Sequence, residues 1–153
     1  RRELGRPPDS IRWQAEMRYR GQRHSLTVDF EGAPAGPYSG EPGLDFSGLD
    51  VIDYTGISGS KAGSSGADGS FTITANGEDF DLDGISLRSV GAYAYVQAAA
   101  YDDGAQVGST WLVAYGSQAS TSTFGTTFDD IDQVVFSIYG SGEFYVDDIL
   151  TFL

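Results

Sequence analysis

The sequence contains no cysteine and a single histidine, His24. The first absence excludes a disulfide scaffold, thiolate metal sites and cysteine catalysis. The second excludes multi-histidine zinc centres and leaves no imidazole for a Ser-His-Asp triad in the body of the chain. No phosphate-binding glycine loop with its Lys-Ser/Thr occurs, and no G-x-S-x-G nucleophile elbow. No proline follows Pro42; central strands do not tolerate proline, so this suits a continuous sheet region. No apolar run nears the roughly 20 residues that cross a bilayer, and no charged-then-apolar leader begins at Arg1. A soluble chain without membrane insertion is expected, its export signal either removed or never included.

Positive charge is also missing over most of the length. Residues 1–28 hold seven of the nine basic residues against three acids, a net of +4, whereas 29–153 hold only Lys61 and Arg88 against nineteen acids, a net of −17. So sharp a break marks a boundary. It divides a basic N-terminal arm or fusion segment, 1–25, from a single domain over 26–153. An arm lying on the acidic body by simple attraction explains the same pattern. Clustered arginine can neutralise phosphates, but the body would repel them, so no nucleic-acid partner is expected.

What the chain does have is material for a core. Its 153 residues include 9 Phe, 9 Tyr and 2 Trp, more packing surface than a disordered acidic tail carries. Apolar residues alternate: Leu26, Val28 and Phe30; Phe71, Ile73 and Ala75; Val134, Phe136 and Ile138; Phe144 and Val146. Period two is the mark of a half-buried strand. Turn signals fall about every ten residues, at 63–69, Asn76-Gly77, Asp83-Gly84, Asp102-Asp103-Gly104 and Gly140-Ser141-Gly142. Together these predict an all-β chain, an antiparallel β-sandwich of about nine strands. The strands fall near 26–31, 45–54, 70–75, 79–88, 92–101, 105–114, 121–126, 131–139 and 143–153.

One segment suggests a ligand face. Along 92–101 one side of a strand reads Ala92, Ala94, Val96, Ala98 and Ala100, and the other Tyr93, Tyr95, Gln97, Ala99 and Tyr101. With the small side in the core, Tyr93, Tyr95 and Tyr101 line a surface beside Trp111 and Tyr115 of the next strand. Sugars stack their C–H faces on such rings while amides and carboxylates take their hydroxyls. The opposite orientation would bury the same rings.

The chain from Thr27 onward resembles the jelly-roll, galactose-binding-like β-sandwich modules of exported bacterial proteins, including PEP-CTERM-type surface proteins and calcium-stabilised carbohydrate-binding modules. The matching pieces are Val28-Asp29-Phe30-Glu31, Gly56-Ile57-Ser58-Gly59-Ser60, Gly77 to Leu82, Ala100 to Gly104, Phe128 to Asp132 and Phe144 to Ile149. In such modules a calcium ion joins the first and last strands. The resemblance implies Glu31 and Asp147 as ligands, with Ser58 and Gly59 supplying loop oxygens. Calcium takes 6 to 8 hard oxygens, and an acidic chain gains from a cation that relieves self-repulsion. Glu31 and Asp147 read equally as solvated edge carboxylates, and Asp29, Asp148 and the Asp129-Asp130-Asp132 group as turn and cap residues. A shorter stretch, Arg18 to Val28, resembles a strand of the hydantoinase A and oxoprolinase family but carries none of its catalytic groups.

The resemblance implies a non-catalytic carbohydrate-binding or accessory module, secreted or on the cell surface, with a polysaccharide or surface glycan as partner. A structural or adhesive module without a sugar site is the alternative. A polysaccharide hydrolase is a third reading, but none of the six glutamates sits in the paired E-x-D-x-E strand of a sandwich glycosidase.

Overall fold

The computed structural model describes residues 24–153. The basic arm expected over 1–25, and the Arg18 to Val28 stretch, lie outside the described residues as far as residue 23.

Among the described residues thirteen strands follow in order: β1 (Ser25–Val28), β2 (Gly36–Pro37), β3 (Gly40–Glu41), β4 (Leu44–Ser47), β5 (Asp50–Asp53), β6 (Lys61–Ser64), β7 (Ser70–Ala75), β8 (Asp81–Ser89), β9 (Tyr93–Asp102), β10 (Ala105–Tyr115), β11 (Ser120–Thr123), β12 (Gln133–Ile138) and β13 (Phe144–Phe152). One sheet runs β11-β8-β13-β6-β5-β2, with β1 also paired to β13; the other runs β10-β9-β12-β7-β4-β3. The strand pairs are antiparallel. The fold is a jelly-roll β-sandwich.

Alternation decides which side of each strand enters the layer between the sheets. Phe71 and Ile73 of β7, Val134 and Phe136 of β12, and Val96 and Ala98 of β9 face inward from one sheet, all buried. Leu82, Leu87, Phe144 and Val146 meet them from the other. Phe71 stacks on Phe136 at 4.7 Å and reaches Phe144 across the layer at 6.0 Å. Burying each such ring stabilises the fold by roughly 1.5–3 kcal/mol.

The structure has more strands than the nine expected, for local reasons. The expected strand 45–54 is broken at Gly48, whose φ of +84° turns the chain from β4 in one sheet to β5 in the other. β6 falls in a stretch read as a turn because Lys61-Ala62-Gly63-Ser64 lacks any strand-forming side chain. It pairs with both β5 and β13, and a Cβ on Gly63 would sit 2.8 Å from Leu49 and 3.0 Å from Phe30. Only glycine lets those side chains close over it. The Asp103-Gly104 turn between β9 and β10 does follow the sequence, both residues having positive φ (52° and 83°) as a two-residue hairpin requires.

Candidate functional site

β13 carries two partners on one edge. Its first half pairs with β6 at Tyr145 and Val146, and its second half with β1 from Ile149 to Phe152. Between them neither neighbour reaches Asp147 or Asp148, and the register against β8 slips there. Asp148 adopts φ 49°, a conformation that Asp tolerates better than bulky residues, and the slip turns both carboxylates toward the gap. The loop before β6 closes it: the Ser58 hydroxyl donates to Asp148 Oδ2 at 2.7 Å and to Asp147 Oδ2 at 3.2 Å.

Glu31, just after β1, reaches the same loop. Its carboxylate accepts the Ser60 hydroxyl at 2.7 Å and the backbone N–H groups of Ser60 and Lys61. The Ser60 hydroxyl and amide, with lesser help from the Lys61 amide and charge, hold its pKa below the usual carboxylate range against the opposing effect of burial. Gly59 takes φ +62°, a conformation that favours glycine, and a Cβ there would lie 2.5 Å from Glu31 Oε2 and displace that carboxylate.

Asp147 is fully buried. Desolvation pushes its carboxyl up from 3.8 to about 7; the charges of Asp148 and Glu31 add to the rise, and the Asp148 N–H and Ser58 hydroxyl oppose it. The two basic side chains after residue 28 are engaged elsewhere. Lys61 pairs with Asp53 at 3.4 Å, and Arg88 donates to the carbonyls of Gly56 and Gly116. A buried carboxylate next to Asp148, within electrostatic reach of Glu31 and with no Lys or Arg of the described residues bonded to it, has the donor type and charge a hard cation takes, although only Asp79, Asp102 and Asp132 bring three carboxylates within 4.8 Å of one another among the described residues. The fold thus brings Glu31, Ser58, Gly59 and Asp147 to one gap. Asp148, read from sequence as a turn residue, joins them through Ser58.

The second feature lies on the outer face of the other sheet. Ala94, Val96, Ala98 and Ala100 of β9 are buried, while Tyr93 and Tyr95 are exposed, at 59% and 46%. Register places Tyr115 of β10 opposite Tyr93, and Trp111 opposite Gln97. Trp111 and Tyr115 are likewise exposed. The sequence reading missed Tyr139, the most exposed of these rings at 74%. Its N–H donates to the Tyr95 carbonyl at 2.8 Å, and its ring meets Trp111 edge to face at 6.1 Å, bridging over β9. The signal was present: if Val134, Phe136 and Ile138 point inward, residue 139 points out. Tyr93 and Tyr95 form a second edge-to-face pair at 5.4 Å. Tyr101 shares the face but is half-buried, six residues and about 20 Å along β9 from Tyr95.

A third group was not anticipated. The carboxylates of Asp79, Asp102 and Asp132 each place an oxygen within 4.8 Å of the others. Asp132 accepts the Asp103 N–H at 2.9 Å, a turn role, while Asp102 Oδ1 is buried with no hydrogen-bond partner among the described residues. Burial first, then the charges of Asp79, Asp103 and Asp132, raise the Asp102 pKa.

No family model matches the chain, and no curated protein matches it in sequence. Solved structures do match in fold. A DUF4465 family protein from Bacteroides caccae superposes with TM-score 0.58 at 14% identity, over 85% of this chain and 99% of that one. A point mutant of CBM29-2, a family 29 carbohydrate-binding module, gives TM-score 0.51 at 16% identity, over 86% and 93%. An exo-beta-agarase gives TM-score 0.59 at 13% identity over 84% of this chain, which spans only 25% of the agarase. At these identities the likeness is one of fold.

Proposed function

We propose that this chain is a non-catalytic carbohydrate-binding or accessory module of a secreted or cell-surface protein, taking a polysaccharide or surface glycan as partner and stabilised by a calcium ion. The observation that carries the reading is the exposed aromatic face. Five exposed rings, Tyr93 and Tyr95 on β9, Trp111 and Tyr115 on β10 and Tyr139 just after β12, stand side by side on the same sheet. Gln97 and Ser137, aligned across β9 and β12, supply amide and hydroxyl groups between them. Rings that stack on sugars, with polar groups that meet sugar hydroxyls, are what such a surface needs. The shared fold with family 29 modules along nearly their whole length supports the same reading. The aligned outward positions of β9, β10 and β12 between these rings carry no carboxylate.

The calcium would lie between Glu31 and Asp147, with Ser58 and Asp148 as further oxygen donors and the Gly59 loop closing over Glu31. Its charge would offset the desolvation of Asp147 and link the segment after β1 to β13. Magnesium demands a tighter octahedron and keeps more of its water, so calcium suits a gap lined by carboxylates from separate segments.

A glycan array probed with the wild type and with Trp111→Ala and Tyr93→Ala variants tests the function. Saturable binding to at least one glycan, weakened about tenfold or more by either truncation with the melting midpoint unchanged, is expected. Failure of every glycan would favour the structural or adhesive alternative. Turnover of a polysaccharide, lost on a single carboxylate-to-amide change, would make the chain a hydrolase.

A further inference from the structure

The aromatic face is uncharged in a molecule that is otherwise strongly acidic. Outward positions of β9 carry Tyr93, Tyr95, Gln97, Ala99 and Tyr101; the aligned positions of β10 carry Gln106, Ser109, Trp111, Val113 and Tyr115. Those of β12 carry Gln133, Val135 and Ser137, followed by Tyr139. None of these side chains is ionisable in the neutral range, although residues 29–153 hold nineteen acids and two bases. At its Tyr101 end the face meets Asp102 and the exposed Asp103, with Asp132 next to Gln133; across the sheet, from Tyr101 to Gln133 to Thr74, the first carboxylate in register is the exposed Asp45 of β4. It stands three strand spacings, about 14 Å, from β9.

From this distribution we infer that the face selects uncharged, extended glycans, and that the acidic body screens out anionic ones at long range; the inference rests on the carbohydrate reading above. Two effects combine. An anionic sugar stacked here would find no Lys or Arg among the described residues, because Lys61 and Arg88 are engaged on the other sheet and its loops. Its carboxylates or sulfates would instead face the field of a chain of net −13, within which residues 29–153 carry −17. That field falls off over about 30 Å at 0.01 M salt but only about 8 Å at 0.15 M. Rejection is therefore strongest at low ionic strength and fades as salt is added. The uncharged strip along β9, Tyr93 to Tyr101, is about 26 Å long, so it accommodates several sugar units of an extended chain.

The test compares polymers that differ in charge but share a backbone: hydroxyethyl cellulose with carboxymethyl cellulose, agarose with κ-carrageenan, and fully methyl-esterified with de-esterified homogalacturonan. Binding is measured on immobilised polymer at about 0.01 M and 0.5 M salt, for wild type and Trp111→Ala. In any pair that binds, the neutral member is expected to bind about tenfold or more tightly at low salt, with the gap closing to within about threefold at high salt, and both signals falling in the variant. Equal or tighter binding of the charged member at low salt overturns the inference. A preference for the neutral member that salt does not change overturns the long-range mechanism. Binding of charged members alone, salt-sensitive and lost in Trp111→Ala, refutes the inference while leaving the carbohydrate reading intact. Failure of every polymer, with every glycan on the array also negative, removes the carbohydrate reading and the inference with it.

Discussion

Asp147 is a carboxylate that the fold buries against its electrostatic interest. In the absence of a cation, its folded-state pKa of about 7 stands above the ordinary 3.8, so the folded chain holds a proton that the unfolded chain has released. The contribution of Asp147 to stability is then greatest below about pH 4 and declines as pH rises toward 7, by at most roughly 1.4 kcal/mol per pH unit. Melts in EDTA at pH 5 and pH 8 should show the higher midpoint at pH 5, and Asp147→Asn should narrow the difference. Asp102 follows the same sign, being raised by burial and by its acidic neighbours. Asp102→Asn is expected to raise the melting midpoint at pH 8, read by calorimetry; a lower midpoint would mean that Asp102 has a stabilising partner. The resemblance to calcium-stabilised modules pointed to the first of these sites, pairing a Glu after the first strand with an Asp in the last. Nothing in the sequence announced Asp79, Asp102 and Asp132 as a group, because three aspartates far apart in the chain converge only through the pairing of β9 with β12 and the bridge of Phe80 to Ile131.

At the scale of elements, the long strands were readable and the short ones were not. β9 and β12 alternate over several residues, and the Asp103-Gly104 turn fixes one hairpin without reference to anything distant. β6 has no such signature. It is a strand because β5 and β13 flank it and because Leu49 and Phe30 need the space that Gly63 leaves. Gly63→Ala should lower the melting midpoint, a measurement that separates a packed strand from the surface turn the sequence suggested. Gly59→Ala makes a different point, since its Cβ would meet the Glu31 carboxylate. That variant is expected to diminish any calcium-dependent rise in melting midpoint while leaving the core intact. The wild type should show such a rise in millimolar calcium over EDTA, because binding to the folded state stabilises it, and Asp147→Asn should lose it. Equal midpoints with and without calcium would remove the metal from the account. Within the core, Phe71→Ala should cost about 3–5 kcal/mol in denaturant unfolding, because Phe71 touches rings from both sheets.

Over the whole molecule, the two proposed functions fall on different sheets. The carboxylate gap lies on the sheet built around β13, and the aromatic face on the sheet built around β9, with the core between them. Calcium should therefore act on glycan affinity through stability alone, and glycan binding measured well below the melting temperature should change little on chelation. Charge divides the same way, leaving one neutral aromatic surface on an acidic body. The claim that this surface is where a glycan binds is tested most directly by Trp111, one of two tryptophans in the chain. With the other removed as Trp13→Phe, Trp111 emission can be followed while a glycan that binds on the array is titrated. A saturable blue shift, with a midpoint matching the independently measured affinity, is predicted. Binding that leaves Trp111 emission unchanged would put the ligand elsewhere and contradict the account.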